Sequence, residues 1–80
     1  MQVRDHKALA ISIAARYFKF LLHGELRQDT LAVCEAAHAY CDRMSLQESS
    51  RLIQRLLYRL ARDAGWYKDT RDKFRWKKRR

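Results

Sequence analysis

The sequence predicts an all-α protein with a small three-helix core. It contains no proline and only two glycines, Gly24 and Gly65, so few residues would interrupt a helix. Alanine, leucine and arginine, which have high helix propensities, are abundant. The 80 residues fit a single folding unit. We divide it into a three-helix core (residues 1–64) and a basic, aromatic C-terminal arm (residues 65–80).

The first predicted helix runs from about Asp5 to His23. It ends before Gly24, because glycine readily adopts the left-handed conformation that terminates helices. Apart from one narrow polar stripe, apolar side chains cover its circumference. Such a helix needs cover on several sides, which two further helices can hardly provide in a monomer. We therefore expect self-association through this helix, as a homodimer, or its burial in a hetero-complex.

The second predicted helix runs from Asp29 or Thr30 to Met44, since either residue can cap free N-terminal amides. Its apolar side chains recur at helical spacing and define one buried face. The residues of that face are Val33, Ala37, Cys41 and Met44, flanked by Cys34 and Tyr40.

The third predicted helix has the strongest start signal. Residues 45–48 read Ser-Leu-Gln-Glu, a capping box in which the serine and glutamate side chains each satisfy a free backbone amide. The helix continues to Ala64 and stops at Gly65. Its expected core side holds Leu46, Ile53, Leu56, Leu57, Leu60 and Ala64. The opposite side carries Tyr58 and the four residues that we call the arginine face: Arg51, Arg55, Arg59 and Arg62.

The positive charge is confined to one part of the chain. Residues 1–50 hold six basic and six acidic side chains, whereas residues 51–80 hold twelve basic and three acidic ones. The second part therefore carries the whole formal net charge of +9. Segregation of this kind predicts a polarised surface and a polyanionic or acidic partner.

The C-terminal arm combines charge with aromatic rings. Residues 66–80 include eight basic, two acidic and four aromatic side chains. Its acids come early and its bases late, which complements a helix dipole and predicts a short fourth helix from about Asp69 to Lys77. Asp69 is the expected cap of that helix. Trp66 and Tyr67, directly after the glycine, are expected to fold back on the core.

Metal and catalytic sites are not predicted. Cys34, His38 and Cys41 are suitable zinc ligands by residue type, but the two cysteines lie about 10.5 Å apart along a straight helix. That spacing is too long for shared zinc ligation, and also for a disulfide, whose Cα atoms lie within about 7 Å of each other. We expect buried, reduced cysteines. No nucleophile motif or phosphate-binding glycine loop occurs, so neither an enzyme nor a cofactor is expected.

The apolar stretch that begins at Ala8 is broken by Arg16 and Lys19 and lacks a cleavage site. The sequence therefore predicts neither a signal peptide nor a transmembrane segment, and the expected location is the cytoplasm.

The predicted function is nucleic-acid binding, in a small protein of the bacterial or phage regulator type. Cations would contact phosphates, while Trp76 or Phe74 would stack on bases, and specificity would be low. The alternative is an adaptor or inhibitor whose basic arm docks on an acidic protein; a membrane surface is less favoured because no apolar face accompanies the charge. The predicted contact residues are Arg51, Arg55, Arg59, Arg62, Lys73, Arg75, Trp76, Lys77, Lys78, Arg79 and Arg80.

Overall fold

The computed structural model describes residues 5–69, 71 and 75–79. In these residues three α-helices pack around one core and a two-stranded antiparallel sheet follows the last helix. The elements are α1 (His6–Tyr17), two 3₁₀ turns (Lys19–Leu22 and Gly24–Leu26), α2 (Arg27–Tyr40), α3 (Leu46–Asp63), β1 (Trp66–Lys68) and β2 (Trp76–Lys78). The mostly helical architecture with three helices is confirmed, and a small sheet that was not predicted accompanies it.

Helix α1 begins where the sequence predicts and ends earlier. The Asp5 carboxylate caps it by accepting a hydrogen bond of 2.9 Å from the Ala8 amide. The helix ends at Tyr17 instead of His23. On a continued helix Phe18 and Phe20 would point about 200° apart, yet both rings contact Trp76, at 5.5 and 5.4 Å between centroids. The change of backbone direction at Phe18 is what allows both contacts.

This early end changes the basis of the expected self-association. Phe18 and Leu21, which were assigned to an all-round apolar helix, are buried within the monomer. Ile11 on α1 stays 37% exposed. Association through α1 remains a prediction, although the exposed apolar area of this helix is smaller than the sequence suggested. Light scattering of the purified chain tests it.

Helix α2 is anchored by Thr30, although not as a cap. The helix starts at Arg27. The Thr30 hydroxyl lies 2.8 Å from both the Leu21 and the Leu26 carbonyl oxygens, and these two acceptors share its single hydrogen. The expected N-cap at Asp29 or Thr30 is therefore wrong. Because Thr30 is fully buried, its hydroxyl ties the 3₁₀ turns to the start of α2. The buried stripe of α2 continues through Cys34 and Ala37 to Cys41, which directly follows the last residue of the helix.

Helix α3 confirms the predicted start. The Ser45 hydroxyl accepts a hydrogen bond of 3.2 Å from the Glu48 amide, and Gly65 follows the helix with a φ of +91°, in the left-handed region that favours glycine. The buried stripe repeats every four residues. It consists of Ser49, Ile53, Leu57 and Ala61. Leu46, which the sequence assigned to the core, is 48% exposed, because it occupies the first turn of the helix, beyond the buried stripe.

The C-terminal arm forms a β-hairpin over its described residues, so the predicted fourth helix is wrong there. Trp66 pairs with Lys78, Tyr67 with Lys77 and Lys68 with Trp76. The register extends one pair further at each end, since the Arg79 amide donates to Gly65 over 2.7 Å and the Asp69 amide donates to Arg75 over 2.8 Å. Extended backbone places both tryptophans on the same face of the hairpin, which lies against the core.

Candidate functional site

The arginine face lies on the exposed side of α3, as predicted. Arg51, Arg55 and Arg62 lie within about 40° of one another around the helix axis, and Arg59 lies about 40° further round. All four are exposed, while Ile53 and Leu57 hold the opposite side in the core. At a rise of about 1.5 Å per residue the four guanidinium groups extend over roughly 16 Å of helix. The well-capped helix therefore presents a straight row of positive charge.

The charges on this row are not neutralised by described carboxylates. Between residues 5–69, 71 and 75–79, the ion pairs are Lys7 with Glu35 and Lys77 with Asp69, the second at 3.6 Å. Neither pair includes a member of the arginine face. Like charges one turn apart repel each other on a helix, so this row lowers the stability of the free protein and attracts anions.

A groove opens along the same face. Its lining consists of Arg55, Tyr58, Arg59 and Arg62, and its volume is about 320 Å³. That volume is near the lower limit of about 300 to 1,000 Å³ for small-molecule sites, large enough for one planar ring or one phosphate group. Three cations and one aromatic ring thus surround a small, open space.

A cluster of aromatic rings attaches the hairpin beside this groove. The Trp76 ring lies 5.5 Å from Phe18, 5.4 Å from Phe20 and 5.3 Å from Tyr58, between centroids. The second tryptophan, Trp66, packs on Phe20 at 4.2 Å. Because Tyr58 lines the groove and also contacts Trp76, the hairpin and the arginine face belong to one continuous surface.

Cations of the hairpin lie against its rings. The Lys78 ammonium is 6.0 Å from the centre of the Trp66 ring, and the Arg79 guanidinium is 5.6 Å from that of Tyr67. Contacts at these distances are weakly attractive and restrict the cation. Lys78 and Arg79 therefore have preferred positions at the edge of the surface while remaining exposed.

Asp69 stabilises the turn of the hairpin instead of capping a helix. Its carboxylate accepts a hydrogen bond of 2.9 Å from the Arg71 amide. That bond, with a smaller contribution from Lys77, lowers the pKa of the Asp69 carboxyl below its ordinary value. Side-chain bonds to the backbone two residues on are typical of turns, which explains why the acid that suggested a helix start belongs to a hairpin.

The structure locates most of the predicted contact residues. The arginine face, Arg75, Lys77, Lys78 and Arg79 are exposed, and Trp76 is half-buried. Lys73, Phe74 and Arg80 lie outside the described residues. Tyr58 was assigned only to the polar side of α3. Its spacing, three residues after Arg55 and four before Arg62, was the signal that places it between two arginines.

The cysteines are buried, as expected. Cys34 and Cys41 are free thiols with no exposed surface, and burial raises the pKa of the Cys34 thiol. The buried His6 ring lies 6.4 Å from His38. Within the described part of the chain, no three His, Cys, Asp or Glu side chains come together in an arrangement that could hold a metal ion.

Of the helices that the structure describes, none has both the length and the apolar character needed to span a bilayer. The chain matches no protein-family model, and comparison with curated proteins and with solved structures finds no significant similarity. The geometry and charge of the surface itself therefore provide the only structural indications of function among the described residues.

Proposed function

We propose that the protein binds nucleic acid through the arginine face and the adjoining hairpin. The observation that carries this proposal is the groove of α3, in which Arg55, Arg59 and Arg62 surround Tyr58 without a described carboxylate partner. Arginine recognises phosphate with several parallel donors. A row of four arginines over roughly 16 Å matches about five phosphates of one strand, which follow one another at about 3.4 Å of rise.

The expected binding is tight only at low salt and is largely independent of base sequence. Contacts to phosphate fix position and supply affinity without reading bases. Asparagine and glutamine, the usual partners of adenine edges, do not line the groove. The hairpin cations Lys78 and Arg79 extend the same surface.

A titration at several salt concentrations tests the proposal. If the four arginines each neutralise one phosphate, log K falls with log salt at a slope of about −3 for single strands or about −4 for duplex DNA. The double variant Arg55→Gln/Arg59→Gln is expected to reduce the magnitude of that slope by about 1.4 to 1.8.

A matched control makes the same change in charge elsewhere. Arg27 and Arg43 are exposed residues of the electrically neutral half of the chain. The variant Arg27→Gln/Arg43→Gln is expected to keep the slope of the unmodified protein. Absence of binding to RNA, single-stranded DNA and duplex DNA at low salt refutes the proposal.

The alternative, docking on an acidic protein, uses the same surface, since tyrosine and arginine are also common in protein interfaces. A complex with one protein that survives nuclease treatment and is lost in Arg55→Gln/Arg59→Gln favours it. Point variants suit this comparison better than truncation after Lys68, because truncation also removes β2 and the Trp76 ring from the core.

A further inference from the structure

We propose that the groove of α3 selects single-stranded nucleic acid, with one base stacked on Tyr58 and the flanking phosphates bound by Arg55, Arg59 and Arg62. This inference rests on the proposed function and specifies its ligand. It assigns the stacking role to Tyr58, on the helix, instead of Trp76 on the hairpin.

Tyr58 has the position and exposure that stacking requires. Its side chain is 43% exposed and lines the groove together with the three arginines. Arg55 lies one turn before it and Arg62 one turn after it, so a cation is present on each side along the helix. A base on the ring would thus have phosphate-binding groups in both directions of the strand.

The Tyr58 ring is held in place by the hairpin. Trp76 contacts it at 5.3 Å with an interplanar angle of 63°, an edge-to-face arrangement. Such a contact restricts the ring, which stays 43% exposed. Because little rotamer freedom remains to be lost on binding, stacking on this ring is favoured over stacking on a free side chain.

Trp76 has a different role, which its packing defines. Its ring is half-buried and contacts Phe18 and Phe20 as well as Tyr58. Stacking a base on this ring would require separating it from the core. Trp76 therefore acts as the support of Tyr58, a positioning residue for the groove.

The chemistry of the groove favours a single strand over a duplex. Bases of a duplex are paired and stacked on each other, so a tyrosine on a helix surface gains no stacking from them, whereas a single strand offers free base faces. The groove volume of about 320 Å³ is large enough to admit a base. The arginines would bind either form through phosphate, and Tyr58 adds affinity for one form only.

The test measures fluorescence anisotropy of labelled oligothymidylate, oligouridylate and a duplex of equal length, each titrated with the full chain at the same series of salt concentrations. The single strands are expected to bind more tightly than the duplex. Tyr58→Leu is expected to weaken single-strand binding by about 5-fold or more with an unchanged salt slope, and to leave duplex binding unchanged. Tyr58→Phe, which keeps the ring, is expected to bind as the unmodified protein does.

Tyr40→Leu is the matched control, because Tyr40 is an exposed tyrosine, at 69%, that lies at the end of α2 and does not line the groove. Its single-strand affinity is expected to stay unchanged. A measurement without substitution is ultraviolet cross-linking of a bromouridine strand, in which mass spectrometry should identify Tyr58 as the attached residue.

The outcomes separate the two proposals. If no nucleic acid binds, the proposed function fails and this inference fails with it. If the duplex binds as tightly as the single strands, or if Tyr58→Leu folds and binds single strands normally, the inference is wrong while the proposed function stands. If Tyr58→Leu does not fold, the unmodified protein still tests the inference. It must bind single strands more tightly than the duplex and must cross-link at Tyr58.

Discussion

Replacing Trp76 by alanine is expected to unfold the hairpin and to destabilise the helical core. The substitution removes a ring that contacts Phe18, Phe20 and Tyr58, each at 5.3 to 5.5 Å between centroids. These partners belong to two separate segments of the chain, residues 18–20 and α3, so one side chain joins the hairpin to both. A tail that merely followed the core would show no such dependence.

The size of the effect follows from these contacts. Aromatic pairs contribute about 0.5 to 1.5 kcal/mol each beyond the area that they bury, so three pairs give about 1.5 to 4.5 kcal/mol. Because Trp76 is half-buried, we expect a loss of about 2 to 3 kcal/mol. A chain of 80 residues typically has about 4 to 12 kcal/mol of unfolding free energy. The loss is thus a large share of the total.

Urea unfolding followed by far-ultraviolet circular dichroism measures this loss. With a slope of about 1 kcal/mol per molar urea, the midpoint should fall by about 2 to 3 M. The midpoint of Trp76→Phe should fall by less, since a ring remains. Arg75→Ala should change the free energy of unfolding by no more than about 0.5 kcal/mol, since Arg75 is exposed. If the midpoint of Trp76→Ala equals that of Arg75→Ala, the hairpin does not stabilise the core and this reasoning fails.

Three further predictions concern buried and turn residues. Thr30→Val should reduce the free energy of unfolding by about 1 to 3 kcal/mol, because the Leu21 carbonyl loses its hydroxyl donor in a buried position; a urea midpoint equal to that of the unmodified chain contradicts this. The Cys34 thiol, whose pKa is raised by burial, should react with thiol reagents far more slowly in the folded protein than in denaturant, and rapid labelling of the native chain contradicts its burial. A hydrogen bond from the Arg71 amide holds the pKa of the Asp69 carboxyl below its ordinary value of 3.8. This bond therefore stabilises the hairpin fully above about pH 4, and the stabilisation is lost as the pH falls through the lower folded-state pKa. Tryptophan fluorescence should report that loss in acid, and Asp69→Asn should remove this part of the pH dependence.

Local sequence signals predicted α3 well because every signal there points to the same structure. The capping serine, the apolar spacing and the final glycine agree, and the helix runs over Leu46–Asp63 as expected. The arginine face could be predicted for the same reason, since a confirmed helix fixes which side chains share a side. The groove on this face could not be predicted from the sequence, because the position of Tyr58 depends on contact with a distant tryptophan.

Local signals were misleading in the C-terminal arm. Early acids and late bases favour a helix by about 0.3 to 1 kcal/mol each, and Asp69 resembles a cap. The hairpin instead places Trp66 and Trp76 on one face, where both contact Phe20. Those contacts join residues more than forty positions apart. Local sequence spacing carries no information about contacts at that separation.

The sequence by itself determined α3, the start of α1 and the confinement of positive charge to residues 51–80. Tertiary structure decided where α1 ends, that the arm pairs as two strands, and which aromatic ring faces solvent. The physical reason is one of magnitude and range. Caps and spacing act over a few residues, whereas the rings of Phe18, Phe20, Tyr58 and Trp76 gain several contacts at once only when distant segments meet.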